Sequence, residues 1–92
     1  MAETFLLEVA TPESLLVRDQ VSEAQIPARD GYVGILPGHA ALLADLGEGR
    51  LSYTAEGRRR SLTVQGGWLE VSNDQVRVLA NAAEGQQASA GR

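Results

Sequence analysis

Apolar and polar positions alternate with a period of two along most of this 92-residue chain. Phe5, Leu7 and Val9 share one side of "TFLLEVA", while Thr4 and Glu8 share the other. Leu51, Tyr53 and Ala55 alternate with Ser52, Thr54 and Glu56, and Leu62 and Val64 with Ser61, Thr63 and Gln65. Leu69 and Val71 oppose Trp68 and Glu70; Val76, Val78 and Ala80 oppose Gln75 and Arg77. Ile26 and Ala28 form a shorter run of the same kind. Side chains two apart lie on one face of a strand, so these runs predict half-buried strands.

Turn signals separate the runs. "EGR" at 56–58 and "SND" at 72–74 each lie between two alternating segments and read as hairpin turns. "RDG" at 29–31 and "LGEG" at 46–49 are further breaks. Short strands at such spacing predict a sandwich or flattened barrel. Two segments fit less well. "PESLLVRD" is compatible with a helix that has Thr11 as N-cap and Pro12 in its first turn. "HAALLADL" holds strong helix formers, but it is two turns long between Gly38 and Gly47. Periodicity leaves both open. Beyond Leu79 there is no large apolar residue, so a sandwich over 1–83 and a disordered tail over 84–92 are expected.

Composition narrows the chemistry. There is no cysteine, so disulfides and thiolate metal sites are excluded. All eight basic residues are arginine, which excludes lysine Schiff bases and phosphate-loop lysines. The net charge is -4, and the one basic cluster, Arg58-Arg59-Arg60, reads as a solvated hairpin tip rather than a nucleic-acid footprint. No apolar run reaches the roughly 20 residues of a membrane-spanning helix, and the first residues lack the form of a signal or transit peptide. His39 is the only histidine. No "GxSxG" elbow accompanies it, and Asp30 and Asp45 stand nine residues before and six after, without ligand spacing. Neither a catalytic residue nor a metal ligand, cofactor or small-molecule substrate is expected. A structural or interface histidine bonded to local backbone fits better.

"GYVGILPGHA" has a conformational logic. Gly31 and Gly34 allow positive φ or close backbone approach. Pro37 fixes its own φ and holds Leu36 extended, and Gly38 completes a Pro-Gly turn. The expectation is a stiff, sharply bent loop that emerges from a strand and carries Tyr32 and His39, either to face a partner or only to turn the chain.

These residues also carry a resemblance. "GYVGILPGHAALLADLGEGRL" resembles the signature of the epsilon subunit family of the rotary proton-translocating ATP synthase, through Gly31, Gly34, Ile35, Leu36, Pro37, Gly38, His39, Ala40 and Leu42. "VQGGWLEVSNDQVRVLA" is similar to that family's second block, through Gly66, Gly67, Trp68, Glu70, Val71, Val76, Val78, Leu79 and Ala80. "FLLEVATPESLLV" follows its opening strand and turn. Ala41 stands where the family usually has proline. The resemblance spans residues 4 to 83 and implies an all-β, flattened ten-stranded sandwich in which both ambiguous segments are strands. It implies a non-catalytic part of the central rotor, peripheral to the cytoplasmic face of the bacterial inner membrane. The partners implied are the gamma subunit and the c-ring, so that proton flow couples to ATP synthesis. It places the c-ring contact on Asp30, Gly31, Tyr32 and His39, and the gamma contact on Thr11, Leu43, Ala44 and Gln65. The family's C-terminal helical hairpin has no counterpart in these 92 residues, so its inhibitory and ATP-binding roles are not carried over.

Two other classes compete. A stand-alone module for a peptide or glycan predicts a stripe of exposed aromatics, but Phe5, Tyr32, Tyr53 and Trp68 are dispersed in sequence. Trp68 itself reads as packing at the core edge. A small hydrolase would need a nucleophile and a cleft beside His39, and the sequence points to neither.

Overall fold

The alternating runs become eight strands in the computed structural model, which describes residues 3–85. They are β1 Phe5–Ala10, β2 Leu15–Val21, β3 Glu23–Ala28, β4 Gly31–Ile35, β5 Leu42–Asp45, β6 Glu48–Ala55, β7 Arg58–Ser72 and β8 Gln75–Glu84. No helix occurs among the described residues. Both open segments are strands. Thr11 caps nothing: its N–H donates to the Ser14 carbonyl at 2.9 Å, closing the turn between β1 and β2. The pairing of β1 with β2 then slips, so that Ala10 meets Leu15 where Val9 meets Val17, and Leu16 is the extra residue of a bulge. In β5, Leu42 is half-buried and Leu43 exposed, the alternation of a strand on a core.

Hydrogen bonds join the strands in the order β2-β1-β8-β7-β6-β3-β4, with β5 also on β7. All pairs are antiparallel except β1 with β8. One strand belongs to two layers. Residues 58–65 of β7 pair with β6, and residues 68–71 pair with β5. Between them the chain bends at Gly66 and Gly67, with φ of 64° and 115°. The pair Gly66–Asn81 drops out of an otherwise constant β7–β8 register. Leu46 and Gly47 take over the freed groups: Leu46 N–H donates to the Gly67 carbonyl at 2.9 Å and Gly66 N–H to the Gly47 carbonyl at 3.1 Å. A Cβ on Gly67 would overlap the Leu79 carbonyl oxygen, so the bend is possible only for glycine.

The bend folds the sheet over itself. One layer is β2, β1, β8, the second half of β7, and β5; the other is the first half of β7, β6, β3 and β4. The molecule is 20 Å through its thinnest direction, the depth of two packed sheets with their outer side chains. Phe5, Leu7, Val9, Val21, Leu69, Val76 and Val78 face Ile26, Leu51, Tyr53, Leu62 and Val64 in one buried cluster. Burial, then the Asp19 carboxylate, pushes the Tyr53 phenol upward, while the Arg60 guanidinium pulls it the other way.

Three expectations change. The described residues form eight strands, not ten, because β7 and β8 run 15 and 10 residues unbroken and β7 serves both layers. "GYVGI" is a strand rather than the start of a bent loop; the sharp turn is confined to Leu36–Ala41. The arginine cluster belongs to β7 rather than the turn: Arg59 meets Glu23 at 2.7 Å and Arg60 approaches Asp19 at 3.9 Å. The expected tail lies outside the described residues from position 86 onward, and Glu84 ends β8.

Candidate functional site

The turn Arg29–Asp30 joins β3 to β4 and stands beside β5, which the first layer holds against it. Arg29 N–H donates to the Asp45 carbonyl at 3.0 Å, and its guanidinium lies 3.2 Å from the Asp45 carboxylate. An open groove of about 620 Å³ runs between the two segments, lined by Asp30, Gly31 and Tyr32 on one side and Leu43 and Ala44 on the other. Three of the residues assigned to the ring and two of those assigned to gamma thus share one groove. Leu43 projects outward and is 65% exposed, whereas Ala44 is half-buried and faces the core side with Leu42.

Tyr32 has a local duty as well. Opposite it on β3 is Pro27, whose carbonyl accepts from Gly47 N–H at 2.8 Å and where the β3–β6 pairing has already ended. Arg50 N–H on β6 therefore lacks a strand acceptor, and the Tyr32 hydroxyl accepts it at 3.1 Å. The ring crosses over Gly49, where a Cβ would stand 2.6 Å from the Tyr32 oxygen. Much of the ring remains in solvent, so Tyr32 closes the sheet with its tip and still presents an apolar face.

His39 is not at this groove. It lies in the turn at the far end of β4, a strand's length of about 15 Å from Tyr32. Its Nδ1 lies 2.7 Å from the Ala40 carbonyl, which requires the proton on Nδ1. The turn is tied down from outside: Gly38 N–H donates to an Asp74 carboxylate oxygen at 2.7 Å, at the tip of the β7–β8 hairpin. The four residues assigned to the ring contact therefore occupy two corners joined by β4. The gamma set is also dispersed. Thr11 lies in the β1–β2 turn, and exposed Gln65 precedes the bend and donates to Glu48 at 3.0 Å.

Sequence reasoning passed over the outer side of the first layer. Trp68 is exposed there rather than packed at the core edge, and Leu79 beside it is exposed too. The signal was an apolar residue at each phase that alternation reserves for polar ones. Among the described residues no helix is long and apolar enough to cross a membrane.

Comparison with known proteins gives this geometry its context. Residues 4–86 match the family described as the ATP synthase delta/epsilon chain β-sandwich domain. The ATP synthase epsilon chain of Solibacter usitatus is 58% identical over 84 residues, which cover 91% of this chain and 63% of that one. The epsilon chain of Koribacter versatilis is 48% identical over 84 residues, 91% of this chain and 59% of that one. The chain thus spans about three fifths of the length of these relatives. Among solved structures, a chain of the Euglena gracilis mitochondrial ATP synthase (OSCP/F1/c-ring) superposes with a TM-score of 0.83 at 21% identity, covering 91% of this chain and 54% of that one. A chain of the Tetrahymena thermophila mitochondrial ATP synthase central stalk and c-ring gives 0.73 at 15%, covering 86% and 64%; both show the fold. By the match over residues 4–86 and the close relatives, the chain belongs to the family of the ATP synthase delta/epsilon chain β-sandwich domain.

Proposed function

We propose that this chain is a non-catalytic rotor-stalk domain of a proton-translocating ATP synthase, peripheral to the cytoplasmic face of the bacterial inner membrane. It would hold the gamma subunit and the c-ring together so that they turn as one body. The observation that carries this reading is the groove in which Asp30, Gly31 and Tyr32 meet Leu43 and Ala44. One corner presents part of each residue set, as a coupler between two partners requires. The sandwich supports it mechanically: a close-packed core between two sheets deforms little under load. In this reading Asp30, Gly31 and Tyr32 meet polar loops of the ring, with His39 a second, separate ring contact. Leu43 and Ala44 begin the gamma surface, and Thr11 and Gln65 mark its reach around the edge. If β7 and β8 are each counted once per layer, the eight strands give the ten of the flattened sandwich. No cofactor enters this role.

Two variants in a complex reconstituted with full-length subunits separate the contacts. Asp30→Arg should weaken attachment to c-ring proteoliposomes and leave gamma binding intact, and Leu43→Arg should do the reverse. Both side chains are exposed, so thermal unfolding of the domain should not change. Normal binding and coupling in both variants would overturn the assignment.

A further inference from the structure

Two hairpins turn in the same way with different residues. Glu56 and Gly57 stand between the pair Ala55–Arg58, and Asn73 and Asp74 between the pair Ser72–Gln75. All four central residues have positive φ, 53° and 77° in the first hairpin and 52° and 59° in the second. Both are two-residue turns of the type I′ form, whose second central position favours glycine. Gly57 meets that preference and Asp74 does not. An aspartate visits this region when its short side chain bonds locally. Here the carboxylate makes no bond within its own turn among the described residues. Its Oδ1 instead accepts Gly38 N–H, 36 positions away in sequence, at 2.7 Å.

The receiving end is a turn with little else to hold it. His39 N–H donates to the Leu36 carbonyl at 3.1 Å, and Gly38 has a φ of 83°, as a type II turn requires. None of residues 36–41 is buried. Among the described residues, the Asp74 bond is the one hydrogen bond that joins them to a distant part of the chain. A Pro-Gly step also suits a type I turn, which differs by a flip of the peptide plane between Pro37 and Gly38. The flip reverses the direction of Gly38 N–H. In the form seen here that N–H points at Asp74, so the carboxylate selects type II. Asp74 is itself fixed, because its carbonyl accepts Leu6 N–H from β1 at 3.0 Å.

We infer that Asp74 is a positioning residue for the ring contact at His39. It holds the Leu36–His39 turn in one of its two forms. It also ties the corner where the chain crosses from β4 to β5 to the β7–β8 hairpin. His39 follows Gly38 directly, and its ring is fixed in turn by Nδ1 on the Ala40 carbonyl at 2.7 Å, so its place depends on the form the turn takes. The inference rests on the reading of His39 as a ring contact. A hairpin position that favours glycine keeps an aspartate because one residue serves both the hairpin and the corner.

Asp74→Gly separates the two duties, since it gives the hairpin an Asn-Gly turn and removes the acceptor. The thermal midpoint of the full chain should stay within about 3 °C of wild type. The Gly38 amide should exchange about tenfold faster. Asp74→Asn keeps an oxygen in the same place, and its Gly38 exchange should stay within about threefold of wild type. In the complex reconstituted with full-length subunits, Asp74→Gly should leave c-ring proteoliposomes about fivefold faster, and Asp74→Asn should not. Unchanged Gly38 exchange in Asp74→Gly would overturn the inference. So would a fallen midpoint with faster exchange throughout the hairpin, which would make Asp74 a residue of the fold at large. Faster Gly38 exchange with unchanged attachment would overturn the role at the ring. His39→Ala tells that failure from a failure of the reading beneath it. Attachment weakened by His39→Ala but not by Asp74→Gly keeps His39 at the ring and removes Asp74, and attachment altered by neither removes both.

Discussion

The two outer faces of the sandwich are built on the same alternation, yet they dispose of their outward side chains differently. On the second layer, outward groups satisfy one another. Glu23 accepts from the Thr54 hydroxyl and from Arg59, both at 2.7 Å, and Arg59 also reaches Ser52 at 3.0 Å. Its one large exposed apolar residue, Tyr32, spends its hydroxyl on Arg50 N–H. On the first layer Glu8 holds Arg18 at 2.9 Å and Arg77 at 3.6 Å, but the apolar row beside them, Trp68, Leu79, Ala10 and Leu15 paired across β7, β8, β1 and β2, stays partly in solvent among the described residues. Inward positions are dictated by folding, whereas outward ones are left to whatever else the molecule touches. A face that closes its own hydrogen bonds adds to stability, and a face that leaves Trp68, Leu79 and Leu15 in water does not.

The most severe way to break this comparison is to remove the bend that gives the molecule two faces. Gly67→Ala places a methyl group against the Leu79 carbonyl at a φ that side chains avoid, and backbone cannot swing aside as a side chain can. A loss of about 3–4 kcal/mol in urea unfolding is expected. The control is Gly57→Ala in the β6–β7 turn, where φ is also positive, at 77°, but nothing lies within 4 Å of the added carbon. That change should cost only the backbone preference, about 1 kcal/mol. Equal losses at the two glycines would show that crowding at the bend is not what matters.

Tyr32→Phe is a smaller perturbation and sharpens the contrast at the second face. The ring stays and the hydroxyl goes, so Arg50 N–H loses its acceptor. A loss of about 1 kcal/mol is expected, along with faster amide hydrogen exchange at Arg50. Unchanged exchange there would mean that Tyr32 is a surface aromatic with no part in holding β6.

How far the sequence reached follows the same division. The inner faces were legible because alternation is local: Phe5, Leu7, Val9, Leu51, Tyr53, Leu62, Val64, Leu69, Val71, Val76 and Val78 were read from runs of four to seven residues, and all are buried. The hairpins at Glu56–Gly57 and Asn73–Asp74 were legible from turn chemistry, with positive φ at each of these residues. The outer apolar row was not. Trp68 and Leu79 each stood out of phase, but their alignment with Ala10 and Leu15 depends on a parallel pairing between the first strand and the last. No local pattern encodes that pairing. The groove was half legible. "RDG" marked the Asp30 turn, but its meeting with Leu43 and Ala44 depends on β5 docking against β7 far along the chain. The distance of His39 from the groove was not legible, because "GYVGI" extends as a strand where a bent loop was expected and so carries the histidine to the opposite end.

The smallest effect bears most directly on the comparison. Leu15 is 56% exposed at the bulge on β2, at the end of the apolar row, and the neighbouring Leu16 packs on the core in its place. Leu15→Ser removes apolar surface that folding has not buried, so the unfolding free energy should move by no more than about 0.5 kcal/mol. The hydroxyl remains in water and leaves no unpaired group. If stability is kept, this row contributes nothing to the fold, and its side chains can be exchanged without disturbing the core beneath. A loss of about 2 kcal/mol, as for a buried leucine cut back to a small residue, would mean that Leu15 is packed in solution. The first face would then be closed on itself, and the two faces would differ in composition but not in kind.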